Sequence, residues 1–230
     1  MTSALTYKEL RETLGVALLG LAGMLFVAML HIDWSLIYLS QVSWGLSGQH
    51  NEIPFVGDSF VFQFGLAAFA LATALGWRQA TADFTGGAQL FLLHRPIGRR
   101  RIYATKIVVG LALYLACGLA PIVLYGWWAS LPGTHASPFE WSMTSAAWLT
   151  WLSMTAIYLG AFLSGIRPAA WLGTRLAPLA AALMPVFMIA AMEALIVSPV
   201  AFLITPLLLV AVDTALAVSI LYVVSHRDFA

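Results

Sequence analysis

The sequence predicts an all-α integral membrane protein of about six transmembrane helices, with both its amino and carboxyl ends on the cytoplasmic side. Three observations carry that expectation. The first is composition: 61% of residues are hydrophobic and 9% charged, against about 25% charged in a soluble domain. The second is the length of the runs between charges, since a hydrocarbon core about 30 Å thick takes about 20 helical residues to cross. The third is that every Lys and Arg falls on one side of the resulting topology, which the retention of basic residues identifies as the cytoplasm.

The spans follow from those runs. No charge lies between Glu12 and Asp33, between Asp58 and Arg78, between Lys106 and Glu140, or between Glu140 and Arg167. Beyond Arg175 the chain stays apolar to Arg227, broken by Glu193 and Asp213, and is long enough to cross, turn near Ser198 and Pro199, and return. The expected spans are 13–31, 59–77, 107–127, 144–164, 177–196 and 202–224. The runs are continuous rather than alternating, which predicts helices and not barrel strands. The first is too long for a signal-peptide core and has no Ala-x-Ala site before His31, so it reads as a span.

With an even number of crossings, Lys8, Arg11, Arg78, Arg95, Arg99, Arg100, Arg101, Lys106, Arg167, Arg175 and Arg227 share one face, while Asp33, Glu52, Asp58 and Glu140 occupy the opposite loops. Trp34, Trp44, Trp77, Trp127, Trp128, Trp141 and Trp171 sit near span ends, where the headgroup layer suits an amphipathic ring. Trp148 and Trp151 lie deeper. One membrane domain over 1–230 is expected, with no repeat and no linker.

Before the first span, Thr6 and Glu9 have capping-box spacing. Tyr7, Leu10 and Leu14 recur at helical offsets opposite Lys8, Glu9, Arg11 and Glu12. This predicts a short amphipathic helix lying along the cytoplasmic membrane surface, or else an extension of the first span. The external loop from Ile32 to Asp58 is aromatic enough to hold an interfacial helix, whereas the loop from Ala129 to Ser142 reads as irregular.

The most informative stretch joins the second and third spans, from Asp83 to Lys106. Gln89 to Leu93 is apolar enough to pack against protein, Pro96 stops a helix, and Arg99 to Arg101 with Lys106 suit anionic headgroups. Gly87, Leu92, Leu93, Pro96, Arg99 and Lys106 match, in order and spacing, a Gly followed by Leu-Leu-x-x-Pro-x-Ser-Arg and then a Lys. In this the chain resembles the permease subunits of type-2 ABC exporters. The terminal His226-Arg227-Asp228-Phe229 resembles the ending of such permeases, and His94 and Gly98 depart from the pattern, standing where small hydroxyl residues are commoner.

The resemblance implies that this segment is a cytoplasmic coupling helix docking into a separate ATPase subunit. Asp83, Phe84, Gly87, Leu90, Phe91, Leu92, Leu93, His94, Arg95, Pro96 and Arg99 would form the contact. It further implies two copies of that ATPase, with ATP and Mg bound there and not here, and a homodimer or heterodimer of permeases in a bacterial inner membrane, surrounded by membrane lipids. The exported substrate would be an amphiphile, drug, peptide or polysaccharide. The chain has no Gly-x-x-x-x-Gly-Lys-Ser/Thr loop, so ATP hydrolysis is not expected of it. Leu46-Ser47-Gly48-Gln49 resembles a clipped ABC signature but lacks nucleotide-binding companions.

Two acids remain inside the apolar runs. A carboxylate at the bilayer centre costs about 2.5–3.5 kcal/mol on insertion scales, so Asp213 requires a protein-facing or wet surrounding, at a translocation path or permease interface, or as a hydrogen-bonded structural group. Glu193 is expected nearer the outer end, offset by roughly 12 Å along the helix axis, which argues against a catalytic pair. An intramembrane enzyme would need nucleophile and base at matching depth, and Ser164-Gly165 does not supply them. A substrate-binding subunit of an energy-coupling-factor importer also has about six spans, but the Leu-Leu-x-x-Pro connection argues against it. The five histidines are scattered and Cys117 is alone, so neither a metal site nor a disulfide is expected. A net charge of +1 gives no hint of a nucleic-acid partner.

Overall fold

The computed structural model describes the backbone of residues 2–32, 53–85, 98–134, 138–167, 171–195 and 199–226, with side chains over 4–32, 53–82, 98–134, 138–167, 171–188 and 204–226. Six helices account for nearly all of it: α1 (Thr2–His31), α2 (Phe60–Thr85), α3 (Arg99–Ser130), α4 (Ser145–Ile166), α5 (Leu172–Leu195) and α6 (Pro199–His226). A 3₁₀ turn, Trp141–Thr144, leads into α4. No strand occurs among the described residues.

Among the described residues five helices are long and apolar enough to cross a membrane: Ala4–His31, Phe60–Ala82, Arg99–Ser130, Trp141–Ile166 and Ile204–His226. These fit a multi-pass membrane protein. The side-chain-resolved part of α5, Leu172–Met188, is apolar but shorter, within a helix of 24 residues. Pro121 lies inside α3, Pro178 and Pro185 inside α5, and Pro206 inside α6.

The most buried helix is α4, whose side chains from Ser153 to Ile166 are all enclosed. It packs against α2 on one side and α5 on another, with α6 beside it, while α1 lies against α3 and α2. The α2–α4 seam is tight because Gly76 has no side chain: a Cβ there would collide with the Tyr158 carbonyl and press on Ala161. Small residues at such seams let helix backbones approach closely, which matters where burial of apolar surface from water cannot drive association.

The lipid-facing surface is apolar by the same logic. Leu18, Leu19 and Phe26 of α1, Phe62 and Leu66 of α2, and Leu207, Val210 and Val218 of α6 point outward. Trp127, Trp141 and Trp171 are exposed at helix ends, as their interfacial preference predicts. Trp151, in contrast, is enclosed within the bundle.

The amino-terminal segment corrects one expectation. There is no separate surface helix, because α1 runs unbroken for 30 residues. Tyr7, Leu10 and Leu14 are exposed, as a lipid-facing apolar stripe requires, whereas Leu5, Glu9, Thr13 and Ala17 form the buried stripe. Apolar residues face outward here because a buried cation across the seam holds Glu9 inside.

At the opposite end an aromatic cluster closes the bundle. Phe55, held at a positive φ of 65°, packs against Phe60, Tyr125 and Phe139. Asp58 accepts hydrogen bonds from the Phe60 amide at 3.1 Å and from the Tyr125 hydroxyl at 2.5 Å. That carboxylate joins the start of α2 to the end of α3. The interfacial helix expected within the preceding loop falls largely on 33–52, outside the described residues.

Candidate functional site

Of the residues expected to contact an ATPase, Gly87, Leu90, Phe91, Leu92, Leu93, His94, Arg95 and Pro96 lie outside the described residues. Asp83 and Phe84 belong to the last turn of α2, and their side chains are likewise outside. On the far flank Gly98 precedes α3, accepting the Arg101 amide at 2.9 Å. Arg99, Arg100 and Arg101 are exposed on the first turn.

What fixes the two flanks is a buried polar network. The Gln79 side-chain amide donates to the Lys106 carbonyl at 3.1 Å, and the Lys106 ammonium donates to the Gln79 carbonyl at 3.2 Å. Each residue thus ties its side chain to the other's backbone, placing α2 and α3 level at that point. From the network α2 continues to Thr85 and α3 reaches back to Arg99, so these two helix ends lie roughly 10 Å beyond it at 1.5 Å per residue.

The same ammonium reaches a third helix. Lys106 Nζ lies 3.3 Å from Glu9 Oε1, and both side chains are 1% exposed. Lys8 stands 3.7 Å from the same oxygen and 3.5 Å from Glu12, and is itself partly exposed. The Thr13 hydroxyl donates to the Glu9 carbonyl at 2.7 Å. A fourth helix joins through Tyr158 of α4, whose hydroxyl donates to Gln79 Oε1 at 2.5 Å. Gly110 makes room for this meeting, because a Cβ there would collide with both Gln79 Oε1 and the Tyr158 hydroxyl.

Four helices therefore converge on one ion pair and one amide. Moving a charge into a poorly solvated interior costs several kcal/mol unless partners and hydrogen bonds compensate it, so this network constrains α1, α2, α3 and α4 to a common arrangement near the end of α2 and the start of α3. Lys106 is accordingly not the headgroup anchor its sequence position suggested. It is internal, with its side chain 1% exposed, whereas Arg99, Arg100 and Arg101 are exposed.

Sequence reasoning did not assemble Glu9, Gln79, Lys106 and Tyr158. A signal existed: Glu9 interrupts the i, i+4 series Leu5, Thr13 and Ala17, and Lys106 stands inside the apolar run beyond the Arg99–Arg101 triplet. The pairing itself is between residues nearly a hundred positions apart, and no local pattern specifies it.

Asp213 sits midway along α6, half-buried against α4. Its Oδ2 is 2.5 Å from the Thr155 hydroxyl, which is also 2.7 Å from the Leu152 carbonyl. A hydroxyl has one proton to give. Either Thr155 serves Asp213 alone, or the carboxyl carries a proton and donates while Thr155 serves Leu152. The other oxygen, Oδ1, is buried with no hydrogen-bond partner among the described residues. The Glu193 side chain lies outside the described residues, so its relation to Asp213 does too.

The basic residues of the described chain gather at one end of the bundle. Lys106 meets Glu9 and Gln79, and Arg175 of α5 lies over Trp77 of α2. These contacts bring the start of α1, the end of α2, and the starts of α3 and α5 together. No family model, curated protein or solved structure matches the chain.

Proposed function

We propose that this chain is the membrane-spanning permease subunit of an ATP-driven type-2 ABC exporter, with six crossings and its basic end in the cytoplasm. The observation that carries the reading is a conjunction. The Leu92-Leu93-x-x-Pro96 segment connects α2 and α3 on the basic end of an apolar bundle, and both of its flanks are fastened to α1 and α4 by the Glu9–Lys106–Gln79–Tyr158 network.

In this reading the segment from Phe84 to Pro96 receives force from a separate ATPase, two copies of which bind ATP and Mg and serve a permease dimer. Because the network lies roughly 10 Å from the ends of α2 and α3 that flank the segment, displacement of the segment moves α2 and α3 with the amino-terminal third of α1. The bundle then switches between inward and outward access. Asp213 lies on a membrane-embedded face, at the path or at the contact with the second permease. The substrate is an amphiphile, drug, peptide or polysaccharide.

The test is co-purification from the native membrane with an ATPase carrying nucleotide-binding motifs. Leu93→Arg should abolish that association while the variant still inserts and remains folded. If no such ATPase accompanies the wild-type chain, or if it stays bound to Leu93→Arg, the assignment fails.

A further inference from the structure

At the basic end, beside the network but not part of it, two arginines and two tryptophans converge between α2, α4 and the start of α5. The Arg175 guanidinium carbon lies 5.1 Å from the centre of the Trp77 ring. Its Nε is enclosed and has no hydrogen-bond partner among the described residues. Arg167, just beyond α4, donates from Nη1 to the Thr174 carbonyl at 3.4 Å, which brings its guanidinium to the residue preceding Arg175. Among the described residues no carboxylate stands within ion-pair distance of either arginine.

The surroundings are apolar and open. Trp171 is 71% exposed and Leu172 67% exposed. The indole folds over the first turn of α5, where a Cβ on Gly173 would come within 2.7 Å of the ring.

We propose that this constellation binds the headgroup of an anionic glycerophospholipid. Each part of such a lipid has a counterpart. A phosphate oxygen accepts from the two guanidiniums, whose forked donors match it. The stack on Trp77 holds one fork in a fixed plane. Trp171 and Leu172 cover the glycerol and upper acyl carbons at the depth where aromatic side chains prefer to lie. Two arginines with no carboxylate partner among the described residues select a net-negative headgroup, because a zwitterionic lipid brings its own cation toward the second arginine. Basic pockets between helices on the cytoplasmic side are the setting in which such headgroups bind. A bound lipid would bridge α2 and α5, which the stacked pair joins at this level. The site stands whether or not an ATPase binds the chain.

The test is native mass spectrometry of the purified chain in detergent, titrated with phosphatidylglycerol and, separately, phosphatidylcholine. The expected result is one phosphatidylglycerol retained under conditions that strip phosphatidylcholine. Arg175→Gln and Arg167→Gln should each weaken retention about fivefold, from roughly 1 kcal/mol per basic residue near the surface. Arg100→Gln, an equal loss of charge on the same face, should leave it unchanged. Should Arg175→Gln lower the unfolding temperature sharply, Arg175→Lys keeps the charge but loses the planar fork, and should still weaken retention. Equal loss in Arg100→Gln would mean that only general basic charge is being read, and displacement of the lipid by millimolar inorganic phosphate would mean a free-anion site. Either outcome, or equal retention of the two lipids, overturns the proposal.

Discussion

Lys106→Met removes one member of an ion pair in which both side chains are 1% exposed, and leaves Glu9 buried without its nearest cation. Breaking a buried pair from one side costs about 3–5 kcal/mol, because the remaining charge is uncompensated. The lost hydrogen bond to the Gln79 carbonyl is part of that cost. Lys8, 3.7 Å from Glu9 Oε1, softens the loss and puts the expectation near 3 kcal/mol. For a chain of this size about 1 kcal/mol shifts the unfolding temperature by 2–4 °C, so the variant should melt about 6–12 °C below wild type. Glu9→Leu alone, which strands Lys106, should be similarly costly. The double variant Glu9→Leu/Lys106→Met should recover most of the loss, since replacing both members of a buried pair with apolar groups is often neutral or better. The assay is thermal unfolding of all four proteins in one detergent, arranged as a double-mutant cycle. A coupling energy below 0.5 kcal/mol, or single variants that melt with wild type, would refute the argument that this pair fastens α1 to α3. The double variant also separates stability from function: a protein that folds normally yet no longer exports would mark the pair as a transmitting joint.

Two further substitutions probe the same bundle. Gly110→Ala should destabilise by roughly 1–3 kcal/mol, read as a lower unfolding temperature, because the added methyl group meets Gln79 Oε1 and the Tyr158 hydroxyl at once; Gly15→Ala, where nothing lies within 4 Å, serves as the control and should be neutral or slightly stabilising. Asp213→Asn should impair export while leaving ATPase association intact, with an unfolding temperature within a few degrees of wild type, because the amide oxygen can still accept from Thr155. Unchanged export would assign Asp213 to structure alone.

The helices were readable from the sequence to different degrees. The expected span 107–127 lies inside α3, which extends to Arg99 and Ser130, and 144–164 lies inside the unit from Trp141 to Ile166. Boundaries differ because charged residues mark where lipid ends, whereas a helix continues into the headgroup layer wherever its backbone can. The start of the first helix was open for another reason. Periodicity leaves open whether Tyr7, Leu10 and Leu14 mark a separate surface helix or an extension of the first span, and the unbroken α1 makes them part of one helix with that stripe exposed. The inward face of α1 is instead the one carrying Glu9 and Thr13.

By itself the sequence determined that the chain lives in lipid, that it crosses as helices, and that its basic residues gather at one end. Those properties follow from the fixed thickness and low polarity of the bilayer, which act on each segment independently. Only the tertiary structure decided that Lys106 is internal, that Glu9 of α1 is paired with it, and that Gln79 and Tyr158 complete the joint. Those are choices among distant partners, and an ionisable group in a poorly solvated interior is specified by the one neighbour that neutralises it rather than by anything adjacent in the chain.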